Sequence, residues 1–103
     1  MKNQVFRAAL TTYGRKTGAE HTVSLRAVSW NDMIYFSRRN TESDWLKNAL
    51  VNHTVKVNFD GMTHDGIASL VNNDTLAKKI SELKYPGEQR AQETRVVLQV
   101  RIQ

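Results

Sequence analysis

Alternation of apolar and polar side chains in three separate segments is what most narrows the folds open to this chain. Val23, Leu25 and Ala27 alternate with Thr22, Ser24 and Arg26, and Val55, Val57 and Phe59 alternate with Thr54, Lys56 and Asn58. Val96, Leu98, Val100 and Ile102 likewise alternate with Val97, Gln99 and Arg101. A period of two sends successive side chains to opposite faces of a strand, so each segment reads as a strand with one buried face. Apolar stretches at Val5 to Thr12, Met33 to Ser37 and Met62 to Val71 bring the set to six. Asn31-Asp32 and Asp60-Gly61 separate neighbouring runs by two residues of the types that tight antiparallel turns favour. Hairpins follow, and parallel βαβ units are disfavoured.

Between Arg39 and Thr54 the period changes to that of a helix. Trp45, Leu46, Ala49 and Leu50 share one face, with Thr41 placed as N-cap and Asp44 three residues on, for a helix of about three turns. A second helix is carried by Leu76, Ala77, Ile80 and Leu83, opened by Asn73 or Asp74 and stopped by Pro86-Gly87. With 103 residues there is room for one core, and residues 1–103 read as a single domain. Six antiparallel strands with two short helices hide their sheet edges most simply by closing into a barrel.

The formal charge of +5, from 15 Lys and Arg against 10 Asp and Glu, favours anionic partners. Nucleic acid and phosphorylated cofactors both qualify. Two clusters stand out, Arg15-Lys16 and Arg38-Arg39, which suits a cofactor site better than the stripe of bases that nucleic acid needs. No apolar run reaches the length of a bilayer span, and Met1 to Arg7 has no apolar signal region, so a cytoplasmic location is expected. The absence of cysteine excludes disulfides, thiolate catalysis and zinc-thiolate sites. His21, His53 and His64 have no metal-ligand spacing, and no nucleophile motif is present, so no catalytic side chain and no metal site are expected. An enzyme of this composition must borrow its reactivity from a cofactor.

Thr11-Thr12-Tyr13-Gly14-Arg15-Lys16-Thr17-Gly18 sets two glycines around two cations at a strand end, where backbone amides can turn toward an oxyanion. The alternative is a flexible hairpin loop with solvated cations. It is not a Walker motif, because the Gly-Lys-Ser/Thr order is missing. Ser37-Arg38-Arg39 ends another strand and runs toward the positive terminus of the first helix, a second anion-site candidate whose alternative is a solvated turn. By its amphipathic spacing Trp45 belongs to the core.

Leu10-Thr11-Thr12-Tyr13-Gly14-Arg15-Lys16-Thr17-Gly18 followed by His21-Thr22-Val23-Ser24-Leu25 resembles the opening of the deazaflavin-dependent nitroreductase family. These proteins belong to the split β-barrel flavin-binding superfamily of pyridoxamine phosphate oxidase-like folds. The resemblance continues through Ile34-Tyr35-Phe36-Ser37-Arg38, Trp45-Leu46-Lys47-Asn48-Ala49-Leu50 and Asn52, into Val55-Lys56-Val57, and ends near Tyr85-Pro86. It implies a six-stranded antiparallel split β-barrel that binds coenzyme F-420, or less often FMN, and passes a hydride to a small organic acceptor.

Carried over residue by residue, the resemblance assigns Lys16 and Arg38 to the coenzyme's phosphate or acidic tail, with Arg15, Thr17 and His21 beside them. It assigns Ser37 and the backbone of Tyr35 and Phe36 to the ring edge, and Trp45 and Asn48 to the cofactor cleft. Tyr85 falls on the substrate side. His21 stands where the family commonly has Arg, and Ser24 where it has Pro. Gly87-Glu88-Gln89 replaces the tyrosine-rich stretch that faces substrate in the nitroreductases, so nitroreductase activity does not follow. Split barrels commonly pair, so a homodimer is expected, with a second subunit completing the cleft.

Four functions are therefore open: an F-420-dependent oxidoreductase, an FMN protein, a non-catalytic cofactor-binding module, and a nucleic-acid-binding barrel that stacks bases on Trp30, Tyr35 or Phe59. The last is disfavoured because Trp30 and Phe59 lie on apolar strand patterns. The first is the expectation.

Overall fold

The structure is a computed structural model that describes residues 3–103. Six antiparallel strands close into a barrel in the order β1-β2-β3-β6-β5-β4. They are β1 (Gln4–Tyr13), β2 (Glu20–Trp30), β3 (Met33–Arg38), β4 (Thr54–Phe59), β5 (Met62–Leu70) and β6 (Val96–Ile102). Helix α1 (Asp44–Val51) lies between β3 and β4, and α2 (Asp74–Lys84) between β5 and β6, followed by a 3₁₀ turn at Gln89–Gln92.

The two short turns form as their residue types dictate. Asn31 and Asp32 have φ of 50° and 62°, and Asp60 and Gly61 have φ of 52° and 74°. Both central residues in the left-handed region make the turn whose twist matches that of the strands it joins. Alternation then sorts the faces: Ala8, Leu10, Ala27, Ile34, Phe36, Val55, Val57, Leu98 and Val100 fill the barrel interior. Gly66 marks the tightest place in the wall, because a Cβ there would lie 2.6 Å from Val100 Cγ1.

The helices use the barrel in different ways. Trp45, Leu46 and Ala49 of α1 join the interior cluster. Ala77 and Ile80 of α2 instead cover the outer side of Val28, Tyr35 and Val97, so those positions are buried on a face that alternation alone marks as outward. Burial raises the Tyr35 phenol above its ordinary pKa, and its hydroxyl donates to Gln99 Oε1 at 3.3 Å. Helix α2 starts as expected, with the Asn73 side chain accepting from the Leu76 amide at 3.1 Å. Helix α1 does not. Its N-cap is Ser43, two residues beyond Thr41, and it runs for 8 residues. The reason is local: Asn40 Oδ1 accepts from the Glu42 amide at 3.0 Å, and this turn occupies the stretch where the first helical turn was expected.

Candidate functional site

Strands β1 and β2 pair over ten positions, whereas β1 meets β4 over only three, Ala9 to Thr11. The ends of the β1-β2 ribbon therefore carry the Gly14 to Ala19 loop beyond the closing strand. The loop holds itself in shape. Gly14 and Gly18 donate from their amides to Ala19 O at 2.8 Å and Gly14 O at 2.9 Å, and the Ala19 amide donates to Thr17 Oγ1 at 3.2 Å. Gly18, at φ 74°, supplies the left-handed residue that closes the turn. Those three amides face inward to the loop, which leaves the amides of Arg15, Lys16 and Thr17 as the donors for an oxyanion.

Against this loop stands α1. The buried Asn48 accepts from Arg15 Nη1 at 2.8 Å and donates to Thr12 Oγ1 at 3.4 Å, so the guanidinium is pinned to the helix. Arg15 also reaches Asp44 Oδ1 at 3.8 Å, a contact of little energetic weight because the Asp44 side chain is 88% exposed. Arg15 is thus a structural tether as well as a charge. Gly14, Arg15, Lys16, Thr17, His21, Asp44 and Asn48 line a cleft of about 220 Å³. Lys16 has no ion-pair partner among the described residues, which makes it the uncommitted cation of this cleft.

Ser37 and Arg38 do not enter that cleft. They line a second one of about 270 Å³, together with Arg7, Ser24, Leu25, Arg26, Phe36, Lys84, Tyr85, Arg90 and Arg95. Lys16 and Arg38, which the resemblance assigns to the same tail, thus line separate clefts. Residues 39–43 separate Arg38 from the helix, and Arg39 instead lies 3.8 Å from Glu93 Oε2. Lys84, only 8% exposed, donates from Nζ to Ser37 Oγ at 3.1 Å and to Ser37 O at 3.3 Å. Burial, reinforced by the charges of Arg95, Arg26, Arg38 and Arg90, lowers its ammonium to about 8.

Of the residues expected at the cofactor, Trp45 lines neither cleft, while Tyr35 is expected there by its backbone alone. Trp45 is a core residue, edge-on to Phe36 with ring centroids 6.2 Å apart. The Tyr35 side chain is taken up under α2. Arg7, Arg26, Lys84, Arg90 and Arg95 carry no expectation from sequence. Only Arg26, on the polar face of its strand, gave a signal, and the rest assemble through the barrel's closure and the path of α2. The aromatics that base stacking needs are occupied: Phe59 packs on Phe6 and His64 at centroid distances of 5.3 and 4.7 Å, and Trp30 packs on the α2 cluster.

No helix among the described residues is long and apolar enough to cross a membrane. A solved structure named as an F-420-H2-dependent reductase (FDR-A) is similar, at 22% identity and a TM-score of 0.72 over 91% of this chain and 92% of that one. So is a candidate pyridoxamine 5′-phosphate oxidase from Listeria innocua, at 18% identity and a TM-score of 0.73 over 94% and 83%. A third, a domain-swapped dimer, has 22% identity and a TM-score of 0.73 over 91% and 78%. At such identities these establish the split-barrel fold. No curated protein matches the sequence. Residues 3–103 match the sequence model of the F-420-H2-dependent quinone reductases. The chain therefore belongs to the F-420-H2-dependent quinone reductase family.

Proposed function

We propose that the protein is an oxidoreductase that binds coenzyme F-420 with its anionic tail at the Gly14 to Gly18 loop and its reactive ring toward the end of β3. The observation that carries the placement is the cleft between loop and α1, where Lys16 has no ion-pair partner among the described residues and Asn48 holds Arg15 in position. The donor set suits the coenzyme: cations and amides for the phosphate and carboxylates, and strand backbone with a hydroxyl, at Phe36 and Ser37, for a flat polar ring. When bound in reduced form, F-420 supplies a hydride, two electrons with one proton, to the acceptor.

The chain's own part is positioning. Lys16, with His21 and Thr17 beside it, binds the tail, and Arg15 keeps the loop against α1. Ser37 stands fixed by its bonds to Lys84. No side chain needs to act as a base. On this reading the acceptor is a small organic molecule, and the family's name favours a quinone. A homodimer in the cytoplasm completes this reading, since one similar structure is a domain-swapped dimer and the apolar Val51 and Met62 are 65% and 62% exposed.

Parallel fluorescence and absorbance titrations with F-420 and FMN test the reading. Binding of F-420 in the micromolar range, weakened by Lys16→Ala, supports it, and no binding of F-420 overturns it.

A further inference from the structure

Ser37, at the end of β3, has a bond pattern that a merely buried hydroxyl does not need. The residue is 4% exposed and lines the second cleft, and its Oγ accepts from Lys84 Nζ at 3.1 Å. An ammonium has no lone pair with which to receive a proton, so the hydroxyl hydrogen is turned away from Lys84. Among the described residues it has no acceptor, which leaves it for a group inside the cleft.

Lys84 differs in kind from the other cations around it. It is 8% exposed, and Ser37 takes two of its N–H groups, one at Oγ and one at the carbonyl oxygen. The groups that face it are Arg26 from β2, Arg38 from β3, Arg90 and Arg95 from the segment after α2, and the Tyr85 ring, 5.3 Å from its Nζ. Arg7 of β1 lines the same cleft. The nearby carboxylates are engaged elsewhere: Glu88 lies 2.8 Å from Arg90 Nη2, and Glu93 lies 3.8 Å from both Arg39 Nε and Arg95 Nη1. Guanidinium groups keep their protons at any ordinary pH, whereas the Lys84 ammonium is lowered to about 8, by burial first and by those charges second. Of the cations lining the cleft it is the one that can give up a proton and take it back.

Reduction of a quinone needs such a group. A hydride brings the acceptor two electrons and one proton and leaves an oxyanion where a carbonyl stood, so a second proton must arrive to complete the hydroquinone. We propose that Lys84 supplies this proton through the hydroxyl of Ser37, the two forming a proton relay. The proposal rests on the oxidoreductase reading above and goes beyond the fixed position given there to Ser37. The oxyanion takes the hydroxyl proton of Ser37, an N–H bond of Lys84 breaks to restore that hydroxyl, and the neutral amine regains a proton from solvent. Over a full turn the acceptor gains the two hydrogens that the reduced coenzyme gives up, one as hydride and one as a proton exchanged through solvent, so no other oxidant or reductant enters. The surrounding guanidinium groups favour the oxyanion while it lasts.

Lys84→Arg is the deciding variant, because arginine keeps the charge and can keep the bonds to Ser37 but does not release a proton. Two measurements are made on it: NMR of the protein alone, following the Lys84 Cε and Ser37 Cβ resonances with pH, and the pH profile of kcat for oxidation of reduced F-420 by the quinone menadione. In the parent protein both resonances should titrate together near about 8, and the Ser37 titration should vanish in Lys84→Arg. The parent kcat should fall on the alkaline side. Lys84→Arg should bind F-420 as the parent does, keep KM for menadione within about threefold, lose about a hundredfold in kcat and show no alkaline fall. Ser37→Ala, which removes the hydroxyl and leaves Lys84, should lose a similar factor, and it carries the test if Lys84→Arg does not fold. Parental kcat and pH profile in either variant, or separate titration of the two resonances, overturns the relay and leaves the oxidoreductase reading standing. Binding of F-420 without turnover of menadione overturns the relay alone. Failure of F-420 to bind overturns the oxidoreductase reading and the relay with it.

Discussion

Lys84 Nζ donates to the hydroxyl of Ser37 at 3.1 Å, across 47 positions of sequence, and so ties the last residue of α2 to the end of β3. The bond links the outer helix to the residue assigned to the cofactor ring. It also places an ammonium among the guanidinium groups of Arg26, Arg38, Arg90 and Arg95, with no carboxylate paired to it among the described residues.

That arrangement gives stability a specific pH dependence. The Lys84 pKa falls from 10.5 to about 8 on folding, so between those values the unfolded chain binds more protons than the folded one. Stability therefore rises with pH through that window, and the cost of holding the charge is fully present below it. A shift of this size corresponds to about 3 kcal/mol. Urea denaturation at a series of pH values should show Lys84→Met losing this rise relative to the parent protein. An unchanged difference between the two across pH 8 to 10.5 would show that Lys84 is not held as described.

The first cleft predicts a difference between two cations one residue apart. Lys16 is uncommitted and Arg15 is bonded to Asn48, so Lys16→Ala should weaken F-420 binding by about tenfold with little effect on thermal stability. Lys16→Arg retains the charge and should recover most of the affinity. Fluorescence titration of the two variants makes the comparison, and equal affinities for parent and Lys16→Ala would remove Lys16 from the site.

Gly66 predicts a local packing failure. A Cβ at this position would sit 2.6 Å from Val100 Cγ1 and 3.3 Å from Arg101 O, and the carbonyl belongs to the backbone of the neighbouring strand. Gly66→Ala should cost about 1–3 kcal/mol by overpacking. Adding Val100→Ala removes the shorter contact, so the double variant should be more stable than the sum of the two single changes. Strict additivity in chemical denaturation would count against the close approach.

What could be read from sequence divides along physical lines. The Asn31-Asp32 and Asp60-Gly61 turns and the Asn73 cap were legible because each depends on residues within four positions of one another. The start of α1 was not, since Asn40 competes for the Glu42 amide and Thr41 is left outside the helix. Trp45 follows its helical spacing into the core, while the family resemblance had assigned it to the cleft. The loop cations could be found because they are consecutive. The second cleft could not, because it joins Arg7 on β1, Arg26 on β2, Arg38 on β3, Lys84 on α2 and Arg95 before β6, and no periodicity connects those positions. Only the pairing of Arg7 with Arg26 brings two of them side by side.

The tether between Arg15 and Asn48 supplies the remaining prediction, because it joins stability and binding in one pair. Asn48 is buried and bonded to both Arg15 Nη1 and Thr12 Oγ1, so Asn48→Ala leaves the buried Thr12 hydroxyl without that partner and should destabilise by about 1–3 kcal/mol. Arg15→Ala removes one of the same bonds, so the double variant should lose less than the sum of the single losses, with a coupling of about 1 kcal/mol in a denaturation cycle. Freed from α1, the loop must be ordered again when the coenzyme binds, so Asn48→Ala should also weaken F-420 binding although it removes no charge. Additive stabilities together with unchanged affinity would mean that the loop holds its shape through its own amide bonds alone.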